Sequence, residues 1–272
     1  MNPQEFLKKL ETEIKILKLS PYTLRNYLDF NKRLLIHSKK QPDEINEDDI
    51  KNFIVDQMYN KSSSSNILFL SAIRFAYTNI LDKDPTSRVK RPKNQKKLPI
   101  VLSKQEIQQL FEGTTTKKSR LILEFLYSSG LRVSEIVNLK PNDLDLIENT
   151  GWVREGKGGK DRMFILSQKL SKKLEKFINK NKDWQCLFSQ NKPLTTRNIQ
   201  KIVQKATQRA NLNKDVHPHT LRHSFATHLL DSGVDIRKIQ ELLGHSNIST
   251  TMIYTHVSTE ELKKIRNPLD NL

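Results

Sequence analysis

The sequence predicts a mainly α-helical protein of two parts: an N-terminal helical bundle, then an α-rich domain carrying a small antiparallel β-sheet. Three observations predict it. Apolar residues recur at spacings of three and four through most of the 272 residues, the period of a helix with one buried face. One stretch alone reads as paired strands. A proline-punctuated segment with almost no apolar residues divides the helical regions into two groups.

Phe6, Leu10, Ile14 and Leu17 predict a first helix over Phe6 to Leu19. Ser20-Pro21 opens a second, a capping residue followed by the proline that a first turn tolerates; it carries Leu24, Tyr27, Leu28, Leu34 and Leu35. Asn46 caps a third, with Glu47, Asp48 and Asp49 at its positive end. A fourth runs over about 65–81 on Leu68, Ala72, Phe75 and Ala76, after a serine turn at 62–65. These four form a bundle over residues 1–84.

Pro85, Pro92 and Pro99 then punctuate a linker, residues 85–100. The second domain, 101–272, opens with a capping box at Ser103 and Glu106. Helices follow at about 104–112, 117–129 (stopped by Gly130) and 132–139. Trp152-Val153-Arg154 and Met163-Phe164-Ile165-Leu166 form a hairpin whose tip holds Gly156, Gly158 and Gly159. Helices resume at about 168–180, 196–210, 220–232, 236–243 and 250–255, and a last one starts at the capping box Ser258 and Glu261.

Charge gives the first functional clue. A net charge of +17 implies a polyanionic partner, most often nucleic acid. Residues 1–84 are close to neutral, whereas 85–100 hold six basic residues (Arg88, Lys90, Arg91, Lys93, Lys96, Lys97) and no acid, a run suited to tracking phosphates. One cysteine, Cys186, excludes an internal disulfide and a multi-thiolate metal site. Met1-Asn2-Pro3-Gln4-Glu5 runs into charged residues without an apolar signal stretch, and no run of about 20 apolar residues exists for a membrane span. Cytoplasmic localisation and no membrane contact are the expectation.

Five segments place phosphate-compatible or proton-transferring groups at helix ends or turns. Arg132 follows the helix stop at Gly130. Lys157 sits on the hairpin tip. His219 and Arg222 share one face of a starting helix. His245 follows Gly244, and Tyr254 lies nine residues on. Taken singly, each has a plain structural explanation.

Together, the segments Gly130 to Glu135, Gly156 to Arg162, His219 to Leu230 (HTLRHSFATHLL) and Leu242 to His256 (LLGHSNISTTMIYTH) resemble, in this order, the motifs of the tyrosine recombinases, the phage integrase family, and most of all its Xer subgroup. The resemblance spans the second domain. It extends more weakly to the first, where Leu19-Ser20-Pro21-Tyr22-Thr23-Leu24 and Tyr27 are similar to the family's core-binding, SAM-like helical domain.

The resemblance implies the tyrosine recombinase fold and a site-specific recombinase that cuts and rejoins DNA through a 3′-phosphotyrosyl link to Tyr254. In the implied site Arg132 and Arg222 clamp the non-bridging oxygens, which planar, permanently charged guanidinium suits better than lysine. His219 serves as general base and acid, His245 adds a hydrogen bond to phosphate, and Lys157 protonates the departing 5′-oxygen. The chemistry alone leaves Lys157 and Lys160 as alternatives for that acid; the family motif favours the first. Lys160 and Arg162 are expected on the DNA backbone with the six basic linker residues, and Glu135 orients Arg132. His223 and His228 are read as structural; His37, His217 and His256 receive no catalytic role.

The implied assembly is a two-domain clamp on double-stranded DNA, four protomers on paired sites with two active at a time. The C-terminal tail, apolar at Leu262 and Ile265, is exchanged between protomers. No cofactor is implied. A zinc reading of His219 and His223, four apart, is poor because Arg222 lies between them and no glutamate adjoins His219. The implied task is resolving chromosome dimers at a dif-like site. The alternatives are integration of a mobile element, a relaxing type IB-like topoisomerase, and a non-catalytic DNA-binding regulator.

Overall fold

The structure, a computed structural model, describes residues 1–93, 98–154, 161–245, 247 and 250–254. Among them the chain is mainly helical with one small antiparallel sheet, and it divides into two compact units, Met1–Lys97 and Leu98–Leu272.

Four helices build the first unit: α1 (Pro3–Ile16), α2 (Pro21–Ser38), α3 (Glu47–Met58) and α4 (Ser63–Leu81). Side-chain oxygens set their starts: Asn2 accepts from the Glu5 amide, Ser20 from Thr23, Asn46 from Asp48 and Asp49, and Ser62 from Ser65, each replacing a missing intrahelical partner. The serine run expected as a turn is therefore a cap and the first turn of α4. Leu17, expected on a buried face, lies beyond the end of α1 and is half exposed. Along α4 the buried residues are Phe69, Leu70, Ala72, Ile73, Ala76 and Tyr77, with Leu68 and Phe75 half-buried beside them. Phe6, Leu10, Ile14, Leu34 and Phe53 are among the residues that join α4 in the core.

This unit does not stop at residue 84. Asp84 pairs with Arg74 at 3.0 Å and accepts from the Thr86 amide and hydroxyl. Thr86 is buried, and Val89 packs on the helical core. The first part of the expected linker is thus a turn folded onto the bundle.

The second unit is built around two helices. In α6 (Lys117–Ser129), Leu121, Ile122, Leu123, Phe125 and Leu126 are buried, so apolar contact surrounds the helix rather than marking one stripe. In α10 (Pro218–Asp231), nine residues are buried, the charged Arg222 among them. Around these pack α5 (Lys104–Glu112), α7 (Val133–Asn138), α8 (Gln168–Lys180), α9 (Thr196–Arg209) and α11 (Ile236–Leu243). The sheet has three strands in sequence order, β1 (Leu144–Asp145), β2 (Thr150–Val153) and β3 (Arg162–Ile165). The expected hairpin pairs Trp152 with Met163 and Val153 with Arg162, and the two-residue β1 was not foreseen.

Two glycines end helices and aim the site. Gly130 closes α6 and Gly244 closes α11, both left-handed, at φ +61° and +62°. Where a helix over 250–255 was expected, Met252–Tyr254 form a single 3₁₀ turn. The hairpin tip at 155–160, the terminal helix from Ser258 and the tail lie outside the described residues. No helix among the described residues is long and apolar enough to cross a membrane.

Replacing Gly130 with alanine tests the first of these turns. A Cβ there would sit 2.5 Å from Cδ1 of Phe225 on a positive-φ backbone. Gly130→Ala is expected to lower the unfolding free energy by about 2 kcal/mol, read as a lower urea midpoint at unchanged slope. An unaltered midpoint would show that the turn relaxes freely.

Candidate active site

Three arginines meet at one helix end. The last carbonyls of α11 have no intrahelical donors, and each takes a guanidinium: Leu242 O accepts from Arg162 Nε at 3.2 Å, Leu243 O from Arg222 Nη2 at 2.6 Å, and Gly244 O from Arg132 Nη2 at 3.1 Å. Arg222 also donates to Gly130 O at 2.7 Å. Both helix-ending glycines therefore present a carbonyl to an arginine that lies far away in sequence.

The carboxylate of Glu135, almost fully buried in the first turn of α7, balances part of this charge. It accepts from the Arg132 amide (2.7 Å) and Arg132 Nη1 (2.8 Å). Arg162 grips the same carboxylate with both terminal nitrogens, at 2.8 and 2.6 Å, the two-pronged geometry that makes such pairs strong. Burial would raise the Glu135 pKa, but Arg162, the Arg132 amide and the Arg132 side chain outweigh it and bring it to about 2. Arg162, expected at the DNA backbone, is instead a buried strut: its guanidinium is committed to Glu135 and the end of α11.

Arg222 is 3% exposed. Burial, with Arg132 nearby, pulls its pKa to about 10, so it stays charged at neutral pH. Its Nη2 also donates to Nε2 of His245 at 2.9 Å, while Nδ1 of His245 faces the hydroxyl of buried Thr251 at 3.0 Å. Burial and then Arg222 push the His245 pKa down to about 4. His245, expected to donate to phosphate, is neutral with both ring nitrogens partnered inside the protein.

Tyr254 is buried, its ring stacked 6.3 Å from that of His245. Burial raises its pKa; Arg222 and Arg132 oppose the rise. Its hydroxyl lies 3.1 Å from Nδ1 of His223. His219, in the first turn of α10, is exposed and makes no hydrogen bond among the described residues; its ring is 6.5 Å from that of His223. Partial enclosure, Arg222 and Arg132 hold the His219 pKa below its ordinary value. Both histidines line a cleft of about 890 Å³ that also takes in Arg197, Gln200 and Gln204 of α9.

Thus Arg132, Arg222, His245 and Tyr254 come together, with His219 at the edge. Lys157 and Lys160 lie outside the described residues, as do Lys96 and Lys97 of the linker. Arg88, Lys90, Arg91 and Lys93 are exposed and make no ion pair among the described residues. Sequence reasoning missed Thr251 and the phenol contact of His223. The latter had a signal, since His223 lies four residues after His219 on the same helix face. Among the described residues no group of three or more His, Cys, Asp and Glu side chains could hold a metal ion.

Comparison with known proteins assigns the class. Residues 100–261 match the phage integrase family, and residues 6–86 match its N-terminal SAM-like domain. The tyrosine recombinase XerA of Thermococcus kodakarensis is 37% identical over 271 residues, covering 96% of this chain and 94% of that protein. A crystal structure of XerA recombinase aligns over 97% of this chain and all of that one, at 31% identity and a TM-score of 0.58. Two more distant structures show the fold alone. A lambda integrase tetramer bound to a Holliday junction covers 98% of this chain and 80% of its own, with a TM-score of 0.80 and 16% identity. XerH bound to a palindromic difH substrate after cleavage covers 95% and 83%, with a TM-score of 0.73 and 23% identity. The chain belongs to the phage integrase family, the tyrosine recombinases. It is of the Xer type, a tyrosine-type site-specific DNA recombinase.

Glu135→Gln tests the charge balance. Breaking this buried pair leaves Arg162 uncompensated and is expected to cost about 3 kcal/mol at pH 7. Because the folded pKa is depressed to about 2 from the ordinary 4.5 of a free glutamate, the contribution is complete above pH 4.5 and fades as pH falls toward 2. Urea unfolding of both proteins across that range should show the gap closing on the acid side. A gap of constant size would mean that the carboxylate charge is not its source.

Proposed function

We propose that the protein cuts one DNA strand with Tyr254 and holds it through a 3′-phosphotyrosyl link until another strand's 5′-hydroxyl displaces it. The observation that carries this reading is the buried tyrosine packed against a cluster of three guanidiniums, of which two pair with its single carboxylate. With its histidines neutral, the cluster carries a surplus of positive charge suited to a phosphodiester. Arg132 and Arg222 hold the non-bridging oxygens and stabilise the charge that builds on them, a contribution of roughly 3–4 kcal/mol per donor. Lys157 supplies the proton to the leaving 5′-oxygen. The bond energy is kept in the phosphotyrosine, so rejoining needs no ATP.

The partner is duplex DNA, with Arg88, Lys90, Arg91, Lys93, Lys96, Lys97 and Lys160 on its backbone. The biological task is resolution of chromosome dimers in the cytoplasm at a dif-like site, supported by the Xer relatives and by the difH complex of XerH. Four protomers assemble on paired sites, with tails exchanged between neighbours; the tetramer of lambda integrase on a Holliday junction supports this reading.

Tyr254→Phe removes only the hydroxyl, so DNA binding is expected to persist while covalent attachment falls below detection on denaturing gels. A phenylalanine variant that still links to DNA would sink the assignment. The proposed chemistry uses only protein groups, so wild-type linkage should also survive excess EDTA. Activity that disappears on chelation and returns with Mg²⁺ or Zn²⁺ would overturn that part of the mechanism.

A further inference from the structure

Helix α9 carries polar chemistry that its packing does not use. Thr195 caps it, and Ile199, Val203, Ala206 and Thr207 are the residues it buries. Its exposed surface holds two rows with a residue at every fourth position: Gln200, Gln204 and Gln208, and beside them Arg197, Lys201, Lys205 and Arg209. None of these side chains has a hydrogen bond or an ion pair among the described residues. The second row sets like charges at i,i+4 on a helix without a single acid, a pattern that weakens a helix standing in water. Solvated faces of the first unit are built the opposite way, with ion pairs at that spacing in Lys9–Glu5, Lys15–Glu11, Arg33–Asp29 and Lys51–Glu47.

The two rows also face different ways. Gln200, Gln204 and Gln208, with Arg197, line the cleft of about 890 Å³ that His219 borders from the first turn of α10. Lys201, Lys205 and Arg209 line a separate hollow of about 390 Å³ on the other flank, beside Lys118.

We propose that α9 lies in the major groove of duplex DNA beside the catalytic cleft, where Gln200, Gln204 and Gln208 read adenines and so set part of the target sequence. The proposal rests on duplex DNA being the partner of this site. A carboxamide offers a donor and an acceptor side by side, the match for N7 and the N6 amine of adenine. It carries no charge for a phosphate, so a row of three beside a row of cations divides the work between base edges and backbone. One exposed glutamine needs no more reason than its helix propensity; three aligned on the edge that borders the cleft do. The dimensions agree. The groove, about 12 Å wide, admits an α-helix, and the 14 residues of α9 run for about 21 Å. Successive glutamines stand about 6 Å apart along the axis, close to two base-pair steps of about 3.4 Å each. Lys201, Lys205 and Arg209, on the other flank, meet phosphates of the groove wall, and the polyanion relieves their mutual repulsion.

The experiment incubates the full-length protein with duplexes of randomised sequence, recovers the bound DNA and reads its base preferences by sequencing. Salt titrations on a selected duplex and on a random one follow. Wild type is expected to enrich adenine on one strand at positions about two base pairs apart. Gln200→Ala, Gln204→Ala and Gln208→Ala should each lower the preference at one such position from about 5- to 100-fold to near none, at unchanged affinity for random DNA. Gln204→Glu should replace adenine by cytosine at its position, because a carboxylate accepts from the cytosine N4 amine; a misfolded variant cannot imitate that exchange. Lys201→Gln combined with Lys205→Gln should weaken both duplexes alike and flatten the log–log salt slope by about 2. If the glutamine variants keep every wild-type preference while the lysine pair flattens the slope, α9 touches only the backbone and the proposal fails. If the slope is unchanged as well, α9 stands off the DNA and the proposal fails again. A wild-type protein that retains no duplex from the pool would instead overturn the reading of DNA as the partner.

Discussion

Like charges repel, and this site holds three guanidiniums against the end of one short helix. Two unit charges about 5 Å apart cost roughly 3 kcal/mol at an effective dielectric near 20, so Arg132, Arg162 and Arg222 cannot gather without compensation. Two features supply it. Glu135 takes Arg162 with both oxygens and Arg132 with one, and the carbonyls of Leu242, Leu243 and Gly244, at the negative end of the α11 dipole, take one donor each. Everything else in the site is arranged around that balance. Gly130 and Gly244 must adopt left-handed turns so that their carbonyls face inward, and α10 must bury an arginine so that it reaches the carbonyls of Gly130 and Leu243.

The compensation is incomplete, and the shortfall shapes the chemistry. With Glu135 ionised and fully engaged, the arginines retain an excess of positive charge. Burial, reinforced by that charge, depresses the pKa values of His219, His223 and His245, so the imidazoles beside the phenol are neutral rather than competing cations. Burial raises the phenol's pKa while the arginines oppose the rise. An anion entering such a site relieves strain that the fold has already accommodated.

Features set by local chemistry were legible in the sequence. The caps at Ser20, Asn46 and Ser103 and the stops at Gly130 and Gly244 depend on residues within a turn of each other, and the structure forms each as expected. The resemblance to the tyrosine recombinase motifs named Arg132, Arg222, His245 and Tyr254, side chains that the fold gathers. Features set by distant partners were not legible. The helix α4 is apolar around much of its circumference, so its pattern did not fix which stripe faces inward. A two-residue strand such as β1 has no periodicity to detect. Arg162 looked like a surface cation because the carboxylate that claims it lies 27 residues away. His223 resembled a helix histidine with no partner because the hydroxyl it meets arrives from a separate turn 31 residues further on.

Helix α11 has only eight residues, too few to be stable alone in water, yet its last carbonyls anchor all three arginines. Fraying of that one end takes a hydrogen bond from Arg132, Arg162 and Arg222 together, leaving them to Glu135 and Gly130 O. The rest of the second unit, centred on α6 and α10, has its own core and need not open with it. The catalytic unit therefore has a built-in order of failure on heating. Activity is expected to fall in a single step before the bulk helical signal melts, and to return on cooling, because what opened is two turns of helix rather than the protein.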